Sequence, residues 1–163
     1  MLNTSEYFHL WVIEGDFEEE LPLRKAGFNV VWTSDVKPYK KIKVRILNGA
    51  HTSLVAASLL TGIETVGRAM NDEVTSAFLN KCMKEEILPT IGENEESISF
   101  AEHVFDRFRN PFIQHKWRSI ALNSVSKFAV RVLPTILEYK EQNLLLYFRD
   151  QLRNREAANG NKH

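Results

Sequence analysis

The chain has 163 residues, enough for one domain with a real hydrophobic core, and 44% apolar against 26% charged residues is typical of a folded protein rather than a disordered one. Its 21 basic residues balance 21 acidic ones, so no overall field favours nucleic acid or an anionic membrane. The single Cys82 excludes an internal disulfide framework and a cysteine-rich zinc site, and we interpret it as a small buried residue. No signal peptide or membrane span is recognisable, which makes the cytoplasm the expected compartment.

The first third of the chain contains two segments that are typical of short β-strands. Tyr7 to Ile13 and Phe28 to Thr33 are rich in aromatic and β-branched residues. An acidic, turn-forming stretch joins them, and Pro38 marks the start of a different pattern. We therefore expect two short strands before the rest of the fold.

The sequence predicts that helices follow. Residues 39–60 are apolar and free of proline, which favours one long buried helix, although the pair Asn48-Gly49 often forms a turn. The next helix is predicted to begin at a cap on Asn71 and to stop at Pro89. Residues 93–97 are predicted to be an exposed connection.

Two further helices are expected before a polar tail. Residues 99–109 have amphipathic spacing and end before Asn110-Pro111, and residues 113–133 form another helical stretch. Pro134 is predicted to kink or break that stretch, and residues 154–163 are predicted to be frayed.

Three polar residues interrupt the apolar run of the long helix: Lys43, Asn48 and His51. On an ideal α-helix they fall within an arc of about 140°, with Asn48 and His51 adjacent at i, i+3. Burying such groups unpaired is unfavourable, so they must meet partners, water or a ligand. One interpretation is a snorkelling lysine, a helix-bending asparagine and a satisfied core histidine. The other is a general base, Lys43, next to two groups that hold and polarise an oxygen.

The run KVRILNGAH, residues 43–51, resembles the Lys-x4-Asn-x2-His signature of the polyol-specific long-chain dehydrogenases, the mannitol dehydrogenase family. The resemblance covers roughly residues 5–137 in the family's order and includes EYFHLWVIEGDF, FLNKCMKEEILPTI and RFRNPFIQHKWRSIALNSVSKFAVRVLP. The segments ILNGAHTSLV and WVIEG are most similar to a branch of the family that acts on sugar acids.

This resemblance implies a mainly α fold, in which residues 38–163 form a helical substrate and catalytic domain. Residues 1–37, with the two short strands, would be the end of a Rossmann-type domain. The implied reaction is hydride transfer between NAD and a secondary alcohol carbon of a small sugar acid or polyol, without a metal. Lys43 would be the general acid or base, and Asn48 and His51 would position the reacting oxygen and stabilise its developing charge.

A second group of basic residues follows near the family's substrate site. His115 and Lys127 are candidate substrate-binding residues, because a uronate carboxylate requires a positive or hydrogen-bonding partner. Lys116 and Arg118 fit a solvated basic helix face equally well.

Three departures from the family pattern limit what the resemblance implies. The seven glycines form no G-x-G-x-x-G, so we expect a dinucleotide-binding domain outside this chain and no activity from the chain alone. Lys40 stands where many members have a glutamate, and residues 144–163 match no closing helices. A dehydrogenase for another substrate of the family, or a non-catalytic helical binding or assembly module, therefore stays an alternative.

Overall fold

The computed structural model describes the backbone of residues 10–160 and the side chains of residues 10–146 and 149. The chain divides into two compact units, Met1–Lys41 and Ile42–His163, which are described separately. The predicted domain boundary between residues 37 and 38 stays a prediction. Within the described part, no helix is long and apolar enough to cross a membrane.

The first unit contains two short parallel strands. Strand β1 (Trp11–Glu14) pairs with β2 (Val30–Thr33), and Trp11 lies opposite Val30. The strand prediction is confirmed over these residues, whereas its first part, before residue 10, lies outside the described residues. The Glu18 carboxylate organises the connecting loop, because it accepts hydrogen bonds from the Trp32 indole at 2.8 Å and from the Lys25 backbone N–H at 3.1 Å.

The structure has one continuous helical segment where the sequence predicts a long helix. It consists of α1 (Lys37–Lys43), a π-helical segment that we call π1 (Val44–Asn48), and α2 (Gly49–Leu60). The pair Asn48-Gly49 therefore lies inside a helix. Gly49 is buried there, and a Cβ at this position would lie 3.3 Å from the carbonyl oxygen of Arg131. Glycine is required by this close backbone approach rather than by a turn.

The next helices correct two predicted boundaries. They are α3 (Val66–Asn71), α4 (Glu73–Lys81), a second π-helical segment π2 (Cys82–Ile87), and α5 (Leu88–Ile91). The cap of α4 is Asp72, not Asn71, because the Asp72 carboxylate accepts the Thr75 N–H at 2.9 Å. Pro89 does not stop the helix, since it lies in the first turn of α5, where a missing N–H is tolerated. The chain leaves the helix at Gly92, whose φ is 97°.

The predicted exposed connection over residues 93–97 is wrong because a helix starts inside it. In α6 (Glu95–Arg109), the Asn94 side chain accepts the Ser97 N–H and the Ser97 hydroxyl accepts the Asn94 N–H. This capping box satisfies two of the free N–H groups at the helix start, and the acidic first turn favours the helix dipole. The predicted end before Asn110-Pro111 is confirmed.

The remaining helices are α7 (Trp117–Ile120), α8 (Ser124–Arg131) and α9 (Leu133–Gly160). The prediction of one helical stretch over residues 113–133 is wrong, because Asn123 adopts the left-handed conformation with φ 58° and separates α7 from α8. The predicted break near Pro134 is confirmed at Val132. The backbone of residues 154–160 is helical in α9, contrary to the predicted fraying, and residues 161–163 lie outside the described part.

Helix α2 lies at the centre of the second unit and the core is built around it. Cys82 is buried as predicted, and burial raises the pKa of its thiol to about 11, so the group is a neutral core residue at physiological pH. The predicted mainly α fold with two short strands is confirmed. The fully buried large side chains are Ile46, Leu54, Leu79, Met83, Val104 and Trp117.

Candidate active site

The π1 segment determines how Lys43 and Asn48 are arranged. The Gly49 N–H is shared between the carbonyls of Ile46 and Val44, and the bond to Val44 is the i→i+5 pattern of a π-helix. On an α-helix two residues five positions apart lie about 140° apart around the axis, whereas a π-turn needs roughly five residues to return to the same side. Lys43 is exposed and Asn48 is half-buried, and the expectation that the two side chains share one face stays a prediction. Short π segments are rare in proteins, but those that occur often lie at functional sites.

His51 follows Asn48 by three residues, in the first turn of α2. Its ring packs against three other aromatic rings, with centroid distances of 4.3 Å to Phe108, 5.1 Å to His115 and 6.3 Å to Trp117. Helices α6 and α7 and the loop before α7 thereby enclose the ring. Only His115 among the three neighbours is exposed.

The surroundings of His51 keep its imidazole neutral. Burial, followed by electrostatic interactions with His115, Arg131 and Arg107, lowers the pKa of His51 to about 3. A hydrogen bond to the backbone of Leu47 acts in the opposite direction, which identifies its carbonyl as the acceptor of a ring N–H. At neutral pH this histidine is therefore uncharged.

The hydrogen-bonding state of His51 leaves one ring nitrogen available. Nε2 is buried and has no hydrogen-bond partner among the described residues, so the bond to Leu47 falls on Nδ1. Nδ1 then carries the hydrogen, and Nε2 presents a lone pair. One nitrogen of His51 is therefore satisfied within the core and the other is not. A ligand hydroxyl is a suitable donor to it.

The structure brings one of the two candidate substrate-binding residues to this group. The His115 ring lies edge-on to the His51 ring. The Lys127 Nζ instead donates to the Ile120 carbonyl at 2.8 Å, which satisfies the C-terminal end of the short helix α7. Substrate binding by His115 and Lys127 stays a prediction.

Sequence reasoning missed several charged residues that lie around the site. Arg131, at the end of α8, and Arg107, on α6, act electrostatically on His51. They are 80 and 56 residues away in the chain, so no local spacing links them to the motif. Gly49 was a sequence signal for close packing at this point of the helix, because a residue without a Cβ allows the backbone of Arg131 to approach. Among the described side chains, no group of three His, Cys, Asp or Glu residues could hold a metal ion.

Fold and site together define a helical domain that presents a lysine, an asparagine and a neutral histidine. Residues 35–148 match the family described as the mannitol dehydrogenase C-terminal domain. The chain belongs to this family, and the resemblance inferred from residues 43–51 is confirmed.

The related proteins fall into two groups. Altronate oxidoreductase from Yersinia enterocolitica is 50% identical over 144 residues, and that from Pectobacterium atrosepticum is 49% identical; each match covers 86% of this chain. The crystal structure of a D-sorbitol dehydrogenase in substrate-free form superposes on 79% of the chain with a TM-score of 0.70 and 30% identity. Pseudomonas fluorescens mannitol 2-dehydrogenase, in a ternary complex with NAD and D-mannitol, gives a TM-score of 0.61 over 68% of the chain at 28% identity.

The chain spans only part of these proteins. It covers 30% of the length of the two altronate oxidoreductases, 27% of the D-sorbitol dehydrogenase and 23% of the mannitol 2-dehydrogenase.

Proposed function

We propose that this chain is the substrate-binding and catalytic part of an NAD-dependent oxidoreductase that interconverts D-tagaturonate and D-altronate by hydride transfer. The observation that supports the proposal is the π-helical form of π1, in which Lys43 and Asn48 would share a face one helical turn before the unpaired nitrogen of His51. Two relatives at 49–50% identity are named altronate oxidoreductase, which favours a sugar acid over a simple polyol.

Lys43 is the proposed proton-transfer group. It is exposed at the end of α1. In the direction of oxidation its amine takes the proton of the reacting hydroxyl, and in the direction of reduction its ammonium returns a proton to the carbonyl oxygen. The bound nicotinamide would accept or supply the hydride.

Asn48 and His51 have different proposed tasks, because one donates hydrogen bonds and the other accepts them. The Asn48 amide N–H₂ can donate to the reacting oxygen and stabilise the negative charge that develops on it. His51, with its hydrogen on Nδ1, can only accept at Nε2, so it would fix a hydroxyl group of the substrate. Because burial keeps His51 neutral, it adds no charge that would compete with the Lys43 ammonium.

The charges around His51 fit the acidic end of the proposed substrate. Arg131 and Arg107 both act on the ring from neighbouring helices, and His115 lies against it. Guanidinium groups bind carboxylates in a bidentate manner, which gives both affinity and orientation.

The described residues supply groups for the substrate but not for the whole cofactor. They contain no glycine-rich turn before a helix that could hold the phosphates of a dinucleotide. We therefore assign the dinucleotide phosphates to a domain outside the described residues, and assign to this chain only the chemistry at the substrate oxygen.

The experiment that tests the proposal is a graft. This chain replaces the matching 144-residue segment of the Yersinia enterocolitica altronate oxidoreductase. The purified grafted enzyme is assayed by NADH consumption with D-tagaturonate, D-fructuronate and D-fructose. We expect the highest kcat/KM with D-tagaturonate.

Other results of the same assay would identify the alternatives. Preference for D-fructuronate or D-fructose would reassign the chain to mannonate or mannitol dehydrogenase activity. A grafted enzyme that is folded, as judged by circular dichroism and a cooperative unfolding transition, but inactive with all three substrates would support the non-catalytic helical module.

A further inference from the structure

We propose that Arg45 is a positioning residue that holds π1 in its π-helical form and thereby keeps Lys43 and Asn48 on one face. This inference rests on the proposed function, because the position of these two side chains matters only if both act on one substrate oxygen. Arg45 lies in π1 between them.

The contacts of Arg45 join π1 to the beginning of α9. Its Nη1 donates to the Thr135 hydroxyl and its Nη2 to the Glu138 carboxylate, both at 2.7 Å. Arg45 and Thr135 are buried, at 7% and 6% exposure, so the bond between them forms away from bulk water, whereas the Glu138 carboxylate is partly exposed. The two acceptors are three residues apart and therefore lie on one face of α9.

The backbone directly after the same segment is closely packed as well. The backbone of Gly49 approaches the Arg131 carbonyl so closely that a Cβ would lie 3.3 Å from it. Arg131 ends α8, and α9 begins at Leu133. Helix α9 therefore holds Arg45 near the start of π1, and the end of α8 packs close to the backbone that follows π1.

These contacts have a consequence for the site because a π-turn is not the preferred form of a helix. Isolated π-turns are rare, and they persist where the surrounding structure determines them. If π1 relaxed to an α-helix, the angle between Lys43 and Asn48 would open to about 140° around the axis. The guanidinium of Arg45 is buried against α9, so Arg45 acts on the substrate only through the two residues that it positions.

Lysine cannot replace arginine in this role. The planar guanidinium spans two acceptors at once, whereas an ammonium is a point charge on a flexible stem. The variant Arg45→Lys therefore keeps the charge and removes the two-point attachment. Glu138→Gln is a milder variant, because it keeps a hydrogen-bond acceptor and leaves the bond between Arg45 and Thr135 intact.

The first part of the test measures π1 directly in the 163-residue chain. Amide hydrogen exchange of Gly49, whose N–H makes the i→i+5 bond to Val44, is followed by NMR. In Arg45→Lys we expect exchange at Gly49 to become at least about tenfold faster, which is the signature of local opening. The Leu88 amide, which makes the corresponding bond to Met83 in π2, should be unchanged.

The second part measures catalysis in the grafted enzyme. Arg45→Lys should lower kcat by about 10- to 100-fold and change KM by less than about threefold, since misplacement of reacting groups costs this much. Glu138→Gln should lower kcat in the same direction by a smaller factor. Arg68→Lys is the matched control, because Arg68 on α3 forms an exposed ion pair with Glu64 at 4.0 Å. This substitution should leave kcat and KM unchanged.

Two results would overturn the positioning role, and a third would contradict the proposed function. The first is unchanged Gly49 exchange in both Arg45→Lys and Glu138→Gln. The second is faster Gly49 exchange with kcat unchanged. If Arg45→Lys does not fold, Gly49 amide exchange and kcat are measured in Glu138→Gln instead, and the same two results overturn the role. The third, an inactive parent graft, would contradict the proposed function itself, and this result is distinguishable because it precedes any substitution.

Discussion

The two π-helical segments use the same backbone irregularity for different purposes. In π1 the Gly49 N–H reaches back five residues to Val44, and in π2 the Leu88 N–H does the same to Met83. In π2 the buried residues are apolar, namely Cys82, Met83 and Ile87, and the helix then continues through Pro89. Segment π1 follows an exposed lysine, ends at a half-buried asparagine and contains a buried arginine.

The different surroundings of π1 and π2 show that a π-turn by itself does not mark a functional site. In π2 the extra residue shifts the hydrogen-bond pattern where a proline removes a donor, and the turn packs into the core. In π1 the extra residue brings polar groups to one face. Substitutions in the two segments should therefore separate into effects on rate and effects on stability.

The largest expected effect is on the rate, from Lys43→Ala beside π1. If Lys43 transfers the proton, kcat of the grafted enzyme should fall by about 100- to 10,000-fold, or roughly 3 to 5.5 kcal/mol of barrier. Lys84→Ala removes an exposed lysine from π2 and should leave kcat unchanged. A Lys43→Ala enzyme that folds and retains kcat within about threefold of the parent would refute the catalytic assignment.

The next effect is on stability, from Met83→Ala in π2. Met83 is 1% exposed in the core, so its truncation should lower the free energy of unfolding by about 2 to 5 kcal/mol. Urea unfolding of the 163-residue chain measures this change. The grafted enzyme with Met83→Ala, assayed well below its unfolding transition, should keep its kcat; a large loss of kcat would erase the distinction between the segments.

His51 beside π1 should make stability depend on pH. Its pKa is about 3 in the folded chain and 6.5 in the unfolded chain, so between these values only the unfolded chain binds the proton. The free energy of unfolding should therefore decrease as the pH falls below 6.5, by about 2 kcal/mol between pH 8 and pH 5 from this residue.

Urea unfolding at the two pH values isolates this contribution. His51→Gln should reduce the pH dependence by about this amount, whereas His103→Gln, at an exposed histidine, should leave most of it. Equal pH dependence in the parent and in His51→Gln would show that the folded histidine titrates normally, and would contradict its enclosure by the three rings.

The smallest expected effect is that of Gly49→Ala next to π1. A Cβ there would press on the Arg131 carbonyl, and we expect a net loss of about 1 kcal/mol after the gain in helix propensity. Gly67→Ala is the control, because its Cβ would meet the Phe108 carbonyl at an ordinary 3.7 Å and should be nearly neutral. Chemical denaturation compares them, and a Gly49→Ala chain as stable as Gly67→Ala would argue against a tightly held π1.

The sequence predicted the helical fold and the three polar residues of the site because these signals are local. Apolar spacing without proline identified the helix over residues 39–60, and the motif placed Lys43, Asn48 and His51 on it. The capping box at Asn94 was also local, but the acidic composition of residues 93–97 was taken for a loop. It could have been found from the Asn-x-x-Ser spacing.

The remaining features depend on contacts between distant parts of the chain. The residues of π1 do not predict an i→i+5 turn. The groups that pack against this segment, Thr135, Glu138 and Arg131, are distant in the sequence. The enclosure of His51 likewise depends on Phe108 and Trp117, more than 50 residues away. Tertiary packing overrides local preference at these points, and helix-pattern reasoning cannot detect it.

The most direct test of the central claim, that π1 makes Lys43 and Asn48 act on one oxygen, is a double-mutant cycle on kcat in the grafted enzyme. The four forms are the parent, Lys43→Ala, Asn48→Ala and the double variant. If both side chains act on the same oxygen, the double variant should lose little more than Lys43→Ala alone, since residues that act as a unit are not additive. Losses that simply multiply, with the two substitutions acting independently, would contradict a shared site.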